Sequence, residues 1–148
     1  MITTVDVETS YQKTENGGYD PSPFHPDNIL VSVGINDEYY FTNHSERIDE
    51  GCYHKIQAIL DKTTLLVGHN IKFDLMWLLE SGFKYTGRVY DTMLGEYILN
   101  RGVRKSLTLE MSCRRRKIGS KDSSIKEFMD RGLSFENIPA DVVEEYGK

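Results

Sequence analysis

The run Ile2-Thr3-Thr4-Val5-Asp6-Val7-Glu8-Thr9 reads as a buried β-strand, yet it carries two acids, Asp6 and Glu8. Side chains alternate across a strand, so both carboxylates point to one face, roughly 7 Å apart along it. Two like charges on one buried face are costly unless a cation sits between them. A hard divalent ion with oxygen ligands is the usual remedy. The plainer reading is an exposed edge strand whose acids are merely solvated. Whatever the chain folds into must supply one or the other.

A second acid stands in Leu65-Leu66-Val67-Gly68-His69-Asn70-Ile71-Lys72-Phe73-Asp74. The apolar strand through Val67 is broken by Gly68, and Asn70 suits the N-cap of a following helix. That helix, to about Glu80, holds Phe73, Leu75, Met76, Trp77, Leu78 and Leu79, so it is apolar nearly all round and is expected to be largely buried. Asp74 lies one turn before Leu78, on a face otherwise meant for the core. A bare carboxylate there is destabilising or stays protonated. Alternatively, Asp74 is a satisfied acid near a helix N-terminus, favoured by the dipole.

Together the segments Asp6-Val7-Glu8-Thr9 and Asn70-Ile71-Lys72-Phe73-Asp74 resemble the first two motifs of the DEDD superfamily of 3′–5′ exonucleases. The resemblance is closest to the proofreading exonuclease domain of family A DNA polymerases, phage-type enzymes included. Tyr90-Asp91-Thr92-Met93-Leu94-Gly95-Glu96-Tyr97-Ile98-Leu99 is similar to the strand-to-helix "DT" segment of the same family. The resemblance implies an RNase H-like fold and hydrolysis of phosphodiester bonds at single-stranded DNA 3′ ends. It also implies two divalent ions, Mg²⁺ or Mn²⁺, with Asp6 bridging both, Glu8 completing the first and Asp74 holding the second. Thr9 and Asn70 match positions used near the terminal nucleotide, and His69 is expected to hydrogen-bond locally rather than act as a base. Two alternatives stay open: an exoribonuclease of the same superfamily, and a non-catalytic nucleic-acid-binding or scaffold domain with this fold.

The family's third motif is Y-x-x-x-D, whose tyrosine helps orient the attacking water. Ala140 to Lys148 resembles the helix that carries it, with Tyr146 as the tyrosine. The matching aspartate falls two residues beyond Lys148. The expectation is a C-terminally truncated exonuclease domain, with its last helix incomplete and its activity weak or absent. The rival is that Gly147 is an ordinary helix cap and Tyr146 surface packing.

At 148 residues the chain is read as one domain, 1–148, large enough to bury a core without staples. Cys52 and Cys113 match no zinc or redox spacing and suit a reducing compartment. With no signal-type opening and no apolar stretch approaching twenty residues, a cytoplasmic location is expected, the host cytoplasm if phage-encoded. The formal net charge of −5 argues against a protein coated in DNA but not against a nuclease, because bound ions invert the charge of acid-lined sites. Basic residues cluster at Arg101, Arg104, Lys105, Arg114, Arg115, Arg116 and Lys117, which suits either a nucleic-acid track or a solvated surface.

Tyr11 to Asn28 is rich in turn residues and reads as a long surface loop. Ile29 to Ile35 alternates around Val31, Val33 and Ile35, and Asn36-Asp37 turns it into a partner strand at Tyr39-Tyr40-Phe41. Tyr53 to Asp61 reads as a helix with Ile56, Ile59 and Leu60 on one face. Strands first and helices interleaved later give an α/β fold, a mixed sheet flanked by helices. A polymerase domain in the parent protein is the partner that the resemblance implies.

Overall fold

The structure, a computed structural model, describes residues 1–119 and 124–148. Its main sheet is built on β1 (Ile2–Thr9), whose β-branched run alternates inward at Thr3, Val5 and Val7. On one side β1 pairs antiparallel with β4 (Leu30–Ile35), which pairs with β5 (Glu38–Phe41). On the other side it pairs in parallel with β6 (Leu65–Gly68), followed by β7 (Arg88–Asp91). The order among the described residues is β5-β4-β1-β6-β7, with β1 central. This mixed sheet flanked by helices is the α/β architecture that the sequence resemblance implies.

Each face of the sheet has its own core. On one face, α1 (Cys52–Leu60) and α2 (Ile71–Glu80) bring Ile56, Leu60, Trp77 and Leu78 onto Val5, Val7 and Leu66. On the other, α5 (Ser124–Asp130), a 3₁₀ turn at Phe135–Asn137 and α6 (Ala140–Gly147) cover Val31, Tyr39 and Phe41 with Ile125, Ile138 and Val143. Apolar side chains on both faces bury all six residues of β4, so the alternation expected there gives way to continuous burial. The turn at Asn36 takes a left-handed φ of 52°, as a tight hairpin with register Ile35 to Glu38 requires.

Three local expectations are corrected. The stretch from Tyr11 to Asn28 is not all loop: β2 (Gln12–Lys13) and β3 (Tyr19–Asp20) pair as a small hairpin. Helix α2 buries only one stripe, Ile71, Asp74, Trp77 and Leu78, and leaves Leu79 exposed. Asn70 precedes that helix but makes no side-chain cap, because its backbone is left-handed at φ 63°.

Helices α3 (Thr92–Leu99) and α4 (Leu109–Arg116) lie outside both cores. The single buried residue of α3 is Glu96, whose carboxylate takes Arg116 at 2.7 Å and Arg115 at 3.2 Å. The Arg116 bond foremost, then Arg115, holds the Glu96 carboxyl below its usual range. Part of the basic cluster is thus spent on joining α4 to α3. Among the described residues no helix is long and apolar enough to cross a membrane.

Candidate active site

The parallel register of β1 with β6 runs from Ile2–Leu65 to Thr4–Val67. Beyond it the chain leaves β6 at Gly68, where a Cβ would meet Ile71 at 3.0 Å and the Val5 carbonyl at 3.2 Å. Only glycine lets the turn into α2 pass this close to β1. Past that turn, β1 has an edge that β6 no longer covers. Asp74 fills it: its Oδ1 accepts the Val7 N–H at 3.0 Å.

Asp74 is 3 % exposed. Burial is the main force on its carboxyl, and the nearby Asp6 charge adds to it. The Val7 hydrogen bond opposes both, and the net effect pushes the pKa up to about 7. A buried carboxyl raised by a neighbouring carboxylate is the electrostatic counterpart of a missing positive charge.

Asp6 is on the opposite side of β1 from Val5 and Val7 and lines a cavity of about 520 Å³. The cavity opens beside the middle of β1, at Thr4 to Asp6, and the carboxyl end of β6, with Gly68, His69, Thr92 and Tyr146 also in its wall. Carboxyl ends of neighbouring strands are where open α/β sheets place ligands. Glu8 is buried one step further along β1, just before a register irregularity, and Thr9 is buried after it. The charges of Glu8 and Asp6 both reach the Tyr39 hydroxyl, which burial foremost has already raised well above the usual tyrosine range. That hydroxyl is 2.7 Å from Ser32 Oγ.

The sequence-derived residues are therefore brought together unevenly. Asp6 is within electrostatic reach of Asp74, Glu8 shares the Tyr39 neighbourhood with Asp6, and Tyr146 shares the cavity with Asp6. Tyr146 also packs on Phe135, with ring centroids 6.0 Å apart. Among the described residues no three His, Cys, Asp or Glu side chains close on a point where a metal ion could be held as they stand. The donor chemistry nevertheless fits a hard divalent ion: carboxylate oxygens, one of them buried with its charge opposed.

Asn70 is exposed at the head of α2, and its N–H donates to Asp91 Oδ1 at 3.0 Å. The same oxygen accepts from Met93 N at 2.8 Å and Leu94 N at 3.4 Å, so Asp91 caps α3 and pins the β6–α2 turn. Asp91 also adds to the negative field on Asp74. Sequence reading marked the Asp91-Thr92 pair without giving it this role; the signal was an Asp directly ahead of a helix. His69 is a local hydrogen-bonding residue, with Nδ1 3.0 Å from Thr92 Oγ1 and Nε2 2.7 Å from the Leu107 carbonyl.

The sequence model of a 3′–5′ exonuclease family, of the DNA polymerase A type, matches residues 12–113, more than half of the chain. The matched stretch holds Asn70, Asp74 and Asp91; Asp6, Glu8 and Thr9 precede it and Tyr146 follows it. No curated protein matches the chain.

Proposed function

This chain belongs to the 3′–5′ exonuclease family of the DNA polymerase A type, and from that membership we propose that it hydrolyses phosphodiester bonds at single-stranded DNA 3′ ends. Exonucleases of this family are generally dependent on divalent metal ions, and their substrate is nucleic acid. The observation that supports the reading best is the buried Asp74, tied to β1 through Val7 and coupled electrostatically to Asp6 beside an open cavity.

Asp6, Glu8 and Asp74 would hold two divalent ions, Mg²⁺ or Mn²⁺. Bound there, such ions supply a water acidic enough to attack phosphorus and neutralise the charge that grows on the leaving oxygen. The protein's own part is positional. Asp74 is fixed to β1 by the Val7 N–H, and its carboxylate would hold an ion from that position. Tyr146 is among the residues that line the cavity, and its hydroxyl would orient the attacking water. Thr9 and Asn70 would contact the terminal nucleotide, Asn70 from an exposed turn that Asp91 holds rigid. Asp6, whose charge acts on both Asp74 and Tyr39, would be needed to hold both ions.

Replacing Asp6 with Ala removes the charge shared by both halves of the site. The expected result is loss of Mn²⁺- or Mg²⁺-dependent shortening of a 3′-single-stranded oligonucleotide, followed on a denaturing gel. An Asp6→Ala chain that degrades DNA as fast as the parent would overturn the assignment. Matched RNA in the same assay separates the deoxyribonuclease from an exoribonuclease.

A further inference from the structure

Helix α6 brings Tyr146 to the cavity, yet little within the helix itself holds it there. Of its eight residues only Val143 is buried, and helices this short are marginal on their own. Its N-cap position is Pro139, which has no side-chain oxygen to offer the first N–H groups.

A loop from far back in the chain meets these needs. Between β5 and α1, each of the consecutive residues His44 to Arg47 bonds to α6 or to the turn ahead of it. Nδ1 of the buried His44 accepts the Glu46 N–H at 3.1 Å, so Nε2 carries the ring proton and donates it to the Ile138 carbonyl at 2.7 Å. The Ser45 N–H donates to the Glu136 carbonyl at 3.1 Å. The Glu46 carboxylate accepts the Ala140 N–H at 3.0 Å and so caps the helix in place of Pro139. One turn further on, Arg47 Nη1 donates to Glu144 Oε2 at 2.9 Å, while the other Glu144 oxygen takes Lys148.

This strap is itself tied down. Its ends meet through the Phe41 N–H on Asp49 Oδ2 and the Asp49 N–H on the Phe41 carbonyl, both at 2.9 Å. Arg47 Nε also donates to Asp49 Oδ1 at 2.8 Å, with the guanidinium 5.0 Å from the centre of the Phe41 ring. Thr42 and Asn43 both bond to the Leu30 and Val31 carbonyls of β4. β4 in turn pairs with β1, with Gly34 opposite Asp6. Through β4, the strap links the strand that bears Asp6 to the helix that bears Tyr146.

We propose that Glu46 and Arg47 are positioning residues of the reaction: the strap of residues 44–47 sets where α6 lies, and thereby where the Tyr146 hydroxyl stands relative to Asp6. The proposal rests on the role given to Tyr146 above. Burial of Ile138 and Val143 alone is the competing account of how α6 is held. Apolar burial is non-directional, whereas hydrogen bonds along one side of a helix fix both its height and its rotation.

The test compares Glu46→Ala, Glu46→Gln and Arg47→Met in the whole chain, each with Tyr146 and with Tyr146→Phe. Both strap side chains are exposed, so the variants keep the two cores. Amide exchange of α6 is followed by mass spectrometry beside that of β1 and α2. Glu46→Ala is expected to speed exchange in α6 about fivefold, as loss of an N-cap does, with β1 and α2 unchanged. Single-turnover cleavage of a 3′-single-stranded oligonucleotide with Mn²⁺ should slow about tenfold or more, while strand affinity stays at the wild-type value. Glu46→Gln keeps an acceptor oxygen for Ala140 and should restore both readings. Arg47→Met should give smaller losses of the same kind, because its ion pair is open to solvent. With Tyr146→Phe in place, the strap substitutions should cost no further rate.

Unchanged exchange of α6 in Glu46→Ala overturns the proposal. So does a rate loss of equal size with Tyr146 and with Tyr146→Phe, and so does a full rate in Glu46→Ala when Tyr146→Phe alone is slow. Tyr146→Phe cleaving as fast as the parent, in a chain whose strap variants loosen α6, removes Tyr146 from the reaction and keeps the strap as the holder of its helix. A chain that leaves DNA undigested refutes the nuclease, and exchange of α6 then decides for or against the strap.

Discussion

At Asp74 one oxygen completes the uncovered edge of β1, while the charge on the same carboxyl is opposed by burial and by Asp6. The hydrogen bond needs an acceptor, not a charge, so Asn can replace the acid structurally. The folded pKa of about 7 stands above the ordinary 3.8, so over that interval the folded chain holds a proton that the unfolded chain has released. The resulting stability is present in full below pH 3.8 and is lost as the pH rises through about 7. Asp74→Asn makes the neutral form permanent. It should therefore stabilise the metal-free chain at pH 8 by on the order of 3 kcal/mol and leave it unchanged near pH 3.5, while nuclease activity disappears. Urea titrations at the two pH values measure the difference. Equal stabilisation at both would mean that the Asp74 charge is not the source.

Among the elements, α6 comes close against the sheet at its last turn. A Cβ on Gly147 would fall 2.7 Å from Cζ of Tyr39, a buried ring anchored to Ser32. A Cβ added at Gly34 on β4 would likewise fall 3.2 Å from the Gly147 carbonyl oxygen. Gly147 is thus a residue of close approach inside the helix and not its cap, which is Lys148. Gly147→Ala should push the helix off β5, lower stability by about 1–3 kcal/mol and displace Tyr146 from the cavity, so that activity falls with it. Thermal melting and the single-turnover rate check the two effects. If only stability falls, Tyr146 has no part in the chemistry. None of this was legible in the sequence, where Gly147 reads equally well as a terminal cap. The strand bearing Asp6 and Glu8, the Asn36 hairpin and the helix bearing Asp74 were legible, because each carries a local pattern of period or turn chemistry. The β2–β3 hairpin was not, since strands of two residues have no period to detect. The pairing of Arg115 and Arg116 with Glu96 spans 19 and 20 residues and leaves no local trace.

For the molecule as a whole, the helices on the two faces of the sheet stabilise it, while the carboxyl ends of β1 and β6 hold charge that the core does not compensate. A cation that binds there binds only the folded chain, since its ligands come from residues more than sixty positions apart. Binding must then raise folding stability by RT ln(1 + [L]/Kd), about 2.7 kcal/mol at a hundredfold excess over Kd. For a chain of this size that is a rise in Tm of roughly 5–10 °C. The proton on Asp74 competes with the ion, so the rise should be large at pH 8 and much smaller at pH 5. Melting the chain with and without Mn²⁺ at both pH values tests this, with Asp6→Ala as control for weaker surface binding. A Tm indifferent to Mn²⁺ at pH 8, or a shift that survives in Asp6→Ala, would remove the metal from this site. The stability dependence on pH would then belong to the burial of Asp74 and the Asp6 charge beside it alone.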